Sequence, residues 1–282
     1  MNSRVARWLL FAAVLLLPAL AQAAAPAVIT TARGSVKLVA EGHAAALPST
    51  PFVLEAGQTL EVGEGAMVVI LFQGTAKKVM GPDSVDLSEL GGDAAASAEG
   101  VTALNSLFTR QISTKRAGAS RAAGEARLLR PVPGDKLLAP TTIQWSCSEC
   151  EEIEVELYDF QADEVVWKAK AKGAVTYDGP ALHPGAYYLN LAGHDNLITI
   201  PPLEERTEVD LAISAVDEAA KMLEQDGGAP ADVVALSASV YLQAGMISEA
   251  LYLIDGALTK HPDDADLAQL KTEYETWAGL QP

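Results

Sequence analysis

Thiols, imidazoles and positive charge are scarce in this 282-residue chain. Two Cys and four His leave little material for thiol or metal chemistry. Twenty Lys+Arg stand against 37 Asp+Glu, a formal net charge of −17. So acidic a chain lacks the basic footprint of a nucleic-acid-binding protein. Beyond one apolar run near the N-terminus there is no long hydrophobic segment, so an integral membrane protein is not expected. The short catalytic signatures are missing as well: there is no G-x-S-x-G, no H-E-x-x-H and no G-x-x-x-x-G-K-[ST]. Gly63-Glu64-Gly65 begins a G-x-G, but Val68 stands where the third Gly would be needed, so it reads as a turn. Carboxylates abound and none stands out as an acid/base pair. Neither an enzyme nor a cofactor is expected.

What is present is ordinary globular material, 49% apolar and 20% charged, which excludes collagen, coiled coil and wholesale disorder. The length suits two or three domains. Arg4 and Arg7 precede an apolar run from Trp8 to Leu17, and Ala21-Gln22-Ala23 fits a small-x-small cleavage site. Residues 1–23 are therefore read as a signal peptide cut between Ala23 and Ala24, with the mature chain periplasmic or secreted. Charge is uneven. Residues 26–140 carry 11 basic and 11 acidic residues, whereas residues 141–282 carry 7 and 26, as separate domains would.

Residues 24–90 read as a small all-β domain. Short apolar runs at Val28-Ile29, Val36 to Val39, Phe52 to Leu54 and Met67 to Phe72 are punctuated by Gly. Gln73-Gly74 is placed for a tight hairpin. The series Gly34-Ser35-Val36, then Leu54-Glu55-Ala56-Gly57-Gln58-Thr59-Leu60, then Gly65 to Thr75, then Gly81-Pro82-Asp83-Ser84-Val85-Asp86-Leu87 resembles the FecR-type domain. The resemblance covers about 65 residues. It implies a β fold and a part in sensing or transmitting a signal.

Residues 91–127 are rich in Ala, Gly and Ser and read as a linker, with one short helix expected between Val101 and Ile112. Seven basic residues against two acidic ones run from Arg110 to Lys136. Such a run can serve as an arm for an anionic lipid or glycan. The preferred reading is a solvated linker whose charge pairs with the acidic half.

Residues 128–203 return to strands. Ile153, Val155 and Leu157, then Asp159 or Phe160, alternate with Glu152, Glu154 and Glu156, the pattern of a half-buried antiparallel strand. Trp145, Tyr158, Trp167 and the run Leu182-His183-Pro184-Gly185-Ala186-Tyr187 resemble immunoglobulin-like or fibronectin type III-like modules. That resemblance makes Trp145, Trp167, Tyr187 and Tyr188 core residues; a glycan-stacking surface is the other reading. Cys147-Ser148-Glu149-Cys150 is the one chemical motif. In an oxidising compartment a local disulfide is expected. A redox site would need the first Cys at a helix N-terminus, and the adjacent carboxylates raise a thiol pKa. Zinc on Cys147, Cys150, His183 and His194 is not expected, because a ten-residue spacer separates the two His; both read as loop residues. Asp263, Asp264 and Asp266 lack a calcium-loop pattern and are read as capping the last helix.

Residues 204–282 turn helical. Val209, Ile213, Val216, Ala220 and Leu223 share one helix face, with Thr207 as the expected N-cap. Gly227-Gly228 ends that helix and Pro230 opens the next. Ala231 to Asp264 spans 34 residues and resembles one tetratricopeptide repeat. Ala238, Tyr241, Gly245, Ala250, Ala257 and Pro262 fall at its signature positions, and Val234 and Ser237-Ala238 replace its Trp and Leu-Gly. One repeat cannot bury its apolar face alone, so flanking helices must complete it.

The expectation is thus a multidomain β + α protein: a FecR-like β domain, an immunoglobulin-like β-sandwich and a tetratricopeptide-like helical unit. Its expected role is that of a non-catalytic adaptor or sensor component of the cell envelope, binding a protein or peptide through the helical unit, with Tyr241, Gln243 and Tyr252 as candidate contacts. A glycan- or peptidoglycan-binding module and a thiol-disulfide oxidoreductase using Cys147 and Cys150 are the alternatives.

Overall fold

The computed structural model describes residues 27–48, 50–55, 57–86, 90, 97–109, 126–138, 142–148 and 150–280. The expected cleavage site at Ala23 and Ala24 and the basic residues 110–125 lie outside the described residues. Among the described residues, four antiparallel sheets fill the N-terminal two-thirds, and five helices lie mostly towards the C-terminus.

The first sheet runs in the order β4 (Phe52–Leu54), β1 (Ala27–Arg33), β6 (Met67–Phe72), β7 (Thr75–Met80). The second runs β3 (His43–Ala46), β2 (Val36–Ala40), β5 (Thr59–Val62), β8 (Asp83–Asp86). The two share a core of Ile29, Leu54, Leu60, Val62, Val68, Ile70, Val79 and Val85. The β6–β7 hairpin turns on Gln73 (φ 50°) and Gly74 (φ 75°), and two positive φ angles in succession are what a two-residue turn of matching twist needs. The pleat sends Val28, Met67, Val69 and Leu71 to the opposite face, where they join a helical core. A strand covered on both faces reads as an unbroken apolar run, which is why Met67 to Phe72 shows no alternation.

That covering is helical. The first helix, α1 (Ala98–Thr109), lies within the stretch expected to be a linker; it buries Ala103, Leu104, Leu107 and Phe108. It packs on α2 (Leu203–Gln225) so closely at Gly100 that a Cβ there would sit 2.8 Å from the Ala215 Cβ. Helix α2 contributes Val209, Ala212, Ala215, Val216, Ala219 and Leu223, spaced by three and four residues. It starts earlier than the expected cap. Pro202 is the N-cap, and Thr207 lies inside the first turns with its hydroxyl donating to the Leu203 carbonyl, 2.9 Å away. Glu204 and Glu205 complement the dipole of the additional turn.

Two 14-residue helices follow, α3 (Pro230–Gln243) and α4 (Ile247–Lys260), then α5 (Ala265–Trp277). Pro230 opens α3. Asp264 caps α5, accepting from the backbone N–H groups of Asp266 and Leu267 at 3.0 Å each.

The remaining strands form a second pair of sheets. One runs β13 (Ala174–Thr176), β10 (Thr142–Ser146), β9 (Arg127–Arg130); the other runs β12 (Glu164–Ala171), β11 (Ile153–Asp159), β14 (Gly185–Leu191), β15 (His194–Ile200). Trp145, Val155, Leu157, Trp167, Tyr187, Leu189, Leu191 and Ile198 fill the space between them. The β-rich halves are not independent of the helices. Arg33 of β1 lies 3.0 Å from the fully buried Asp232 carboxylate on α3 and 2.7 Å from Asp266. On the other side, Arg130 pairs with Asp255 and stacks over the Tyr252 ring. The five helices thus form a hub clamped between two β units.

Candidate functional site

Cys147 and Cys150 form a disulfide with Cα atoms 5.6 Å apart. It lies in the β10–β11 connection, half-buried against the sandwich core. No helix begins at Cys147, so the dipole that would lower a thiol pKa is not at hand.

The aromatic candidates separate by the pleat. Trp145, Trp167 and Tyr187 are buried. The Trp167 indole donates to Asp178 at 2.7 Å, and the Tyr187 hydroxyl donates to the His183 carbonyl at 2.9 Å. Tyr188 points the other way. It lies on the outer face, edge-on to Phe160 with ring centroids 6.0 Å apart. The ambiguity at 159/160 resolves with Asp159 inside and Phe160 outside, 62% exposed. Asp159 turns inward because its carboxylate is fully used: it accepts from the N–H groups of Gln161 and Ala162 and meets His183 Nε2 at 2.5 Å. Burial pushes the Asp159 carboxyl up. The two N–H groups and His183 outweigh burial, so it sits below the usual carboxylate range. His183 is raised, first by the Pro184 carbonyl and further by Asp159. With both ring nitrogens engaged, it is a clip rather than a base. His194 opens β15, where the sequence pattern predicts a loop.

The three helical candidates also diverge. Tyr252 faces inward: its hydroxyl donates to the Thr142 carbonyl at 2.6 Å, joining α4 to the sandwich. Tyr241 is half-buried on α3. Burial raises its pKa, and Glu249, Asp217 and Asp210 raise it further. Gln243 is half-buried in the last turn of the same helix.

A groove of about 680 Å³ opens between α1 and the N-terminal half of α2. Its apolar lining comes from Ala98, Ala103, Pro202 and Leu211, and four glutamates surround it: Glu99, Glu204, Glu205 and Glu208. Glu205 is ion-paired with Lys136. At the helix start Leu203 is 69% exposed. The volume lies in the range of ligand-holding clefts, and the lining suits a cationic group carried on an apolar stem. Sequence reasoning misses this site because its two walls lie about a hundred residues apart and one falls in the expected linker. The signal that could find it is the Glu204-Glu205-x-x-Glu208 spacing, which puts Glu204 and Glu208 on one helix face.

Among the described residues no group of three or more His, Cys, Asp or Glu is arranged to hold a metal ion, and no helix is long and apolar enough to cross a membrane. Comparison with family models, curated proteins and solved structures gave no match.

Proposed function

We propose that this chain is a non-catalytic adaptor or sensor component of the cell envelope, exported by its N-terminal segment, and that it docks a basic segment of a partner protein through its helical hub. The observation that carries the reading is the glutamate-lined groove between α1 and α2. Its charge favours Lys or Arg, and its apolar lining suits the methylene stems of those residues. The acidic surroundings of Tyr241 favour the same partner chemistry.

The module identities fit this reading. The sheet orders β9-β10-β13 and β12-β11-β14-β15 suit a seven-stranded immunoglobulin-like sandwich, and the Tyr187-to-His183 hydrogen bond has the form of a tyrosine corner. The α3–α4 hairpin, with Ala238 and Ala250 buried in one shared cluster, suits a single tetratricopeptide repeat completed by its neighbours. The eight-stranded N-terminal unit is assigned as FecR-like on its glycine and apolar pattern.

The test is crosslinking in whole cells of the tagged protein, followed by mass spectrometry. A reproducible protein partner joined next to α1 or α2, and lost when Glu204 and Glu208 are both changed to Lys, is the expected result. Recovery of no specific protein, or of a partner indifferent to that charge reversal, sinks the proposal.

A further inference from the structure

A second surface is the outer face of the β12–β11–β14–β15 sheet. Two adjacent cross-strand rows define it. The first reads Val165, Tyr158, Tyr188, Leu197 across the four strands, because Tyr158 pairs with both Val165 and Tyr188, and Tyr188 pairs with Leu197. The second reads Lys168, Glu156, Asn190, Asp195 by the same registers. Val165 and Leu197 are 39% and 41% exposed, unusual for large aliphatic residues on a sheet face, and Phe160 stands beside Tyr188. A contiguous apolar strip on a solvated sheet face marks an interaction site.

We propose that this face takes a second copy of this chain in a two-fold dimer. Both rows are self-complementary. A two-fold axis parallel to the strands exchanges β12 with β15 and β11 with β14. It places Val165 over Leu197 of the second copy and Tyr158 over its Tyr188. The same operation sets Lys168 opposite Asp195 and Glu156 opposite Asn190. An isologous interface requires this reciprocity: residue i meets j, and j meets i. Charge supports the choice of partner. The chain carries −17 overall, yet on this face Lys168 and Lys170 offset Glu156 and Glu154 and leave only Asp195 of the two rows in excess, so two copies can approach here. Aligned sheets pack face to face within about 30°, which the rows tolerate at their centre. Four strands of about seven residues span roughly 19 by 24 Å. That falls short of the ~800 Å² per partner of a standard interface, so the dimer is weak and depends on concentration.

Sedimentation equilibrium of the purified protein over a wide concentration range tests this. The expected result is a reversible monomer–dimer equilibrium that Tyr188→Glu weakens by about tenfold or more. Leu197→Lys, at a position already exposed, must weaken it as well, which guards against a misfolded Tyr188 variant. Lys168→Asp and Asp195→Lys each weaken association, and the double exchange recovers part of it, since the opposed pair is reversed while Glu156 loses its cross-strand lysine. A chain that stays monomeric at every concentration overturns the proposal, as does a dimer indifferent to Tyr188→Glu and Leu197→Lys. Retention on insoluble polysaccharide that Tyr188→Glu abolishes, in a protein that remains monomeric, would assign the face to a glycan instead. The Glu204/Glu208 reversal in the groove leaves this equilibrium unchanged, so the two proposals fail separately.

Discussion

Asp135 and Ser248, 113 residues apart in sequence, hold each other across the junction between the sandwich and the helical hub. The Asp135 carboxylate accepts from the backbone N–H groups of Ile247 (2.7 Å) and Ser248 (2.8 Å) at the start of α4. In return the Ser248 hydroxyl accepts from the Val132 N–H at 2.9 Å. Neighbouring backbone bonds extend the clasp, with the Gly134 N–H on the Leu197 carbonyl and the Lys136 N–H on the Gly245 carbonyl. The segment 131–137 is therefore a strap stitched to β15 on one side and to the α3–α4 turn on the other.

The strap gives the fold a pH dependence. Burial pushes the Asp135 carboxyl up to about 6, against an ordinary 3.8, although the Ser248 and Ile247 hydrogen bonds oppose that rise. The native state then holds this proton more tightly than the unfolded chain. Its stabilising contribution is complete below about pH 4 and is lost as pH rises through about 6. Asp135→Asn removes that dependence. It also sets an amide N–H₂ against backbone donors, at a cost of about 1–3 kcal/mol. Urea unfolding of both proteins between about pH 4.5 and 7 is the measurement. An Asp135→Asn variant that keeps the parent's pH slope would refute the assignment.

Two glycines in helices make opposite predictions. Gly→Ala inside a helix gains up to about 1 kcal/mol from propensity. Gly256 in α4 has nothing within 4 Å of an added Cβ, so Gly256→Ala stabilises by about that amount. At Gly100 the added Cβ meets the Ala215 Cβ at 2.8 Å and the Leu211 carbonyl at 3.2 Å. There the helices must separate, and overpacking at about 1–3 kcal/mol outweighs the propensity gain. Thermal melts of the two variants should shift in opposite directions. A rise in both would mean that α1 is not seated on α2 as described.

The same physics explains what the sequence discloses. Period and punctuation are local, so β1, β2, β6, β11 and α2 to α5 are legible from apolar spacing and Gly or Pro boundaries. The Trp145 and Trp167 core positions follow from module pattern. Docking between units is not legible. Arg33, Asp232 and Asp135 look like ordinary surface charges in a linear chain, and only the tertiary fold buries the last two. Helix α1 is anticipated between Val101 and Ile112, but its start at Ala98 and its seat on α2 are not, because the close approach depends on Gly100 meeting Ala215, a contact no local pattern reveals. β15 escapes the pattern because its strand begins with the polar run His194-Asp195-Asn196, and the turn before it rests on Ala192 and Gly193, with φ of 52° and 88°. The groove needs α1 placed beside α2, which no local pattern supplies.

His183 and Asp159 close the far end of the sandwich, and their titrations bracket a stability window. Asp159 is held below its usual range, so its contribution is present above about pH 4 and fades as pH falls through its lowered value. His183 is raised, so its contribution is complete below about 6.5 and fades as pH rises through its elevated value. The pair therefore stabilises most between about pH 4 and 6.5 and weakens on the alkaline side. His183→Gln should lower stability most within that window and converge towards the parent above it. An NMR titration of the imidazole checks the premise directly. The expected value lies above 6.5, because both ring nitrogens point at acceptors, Nδ1 at the Pro184 carbonyl and Nε2 at Asp159. A value below 6.5 would mean that one of these two contacts is not made in solution.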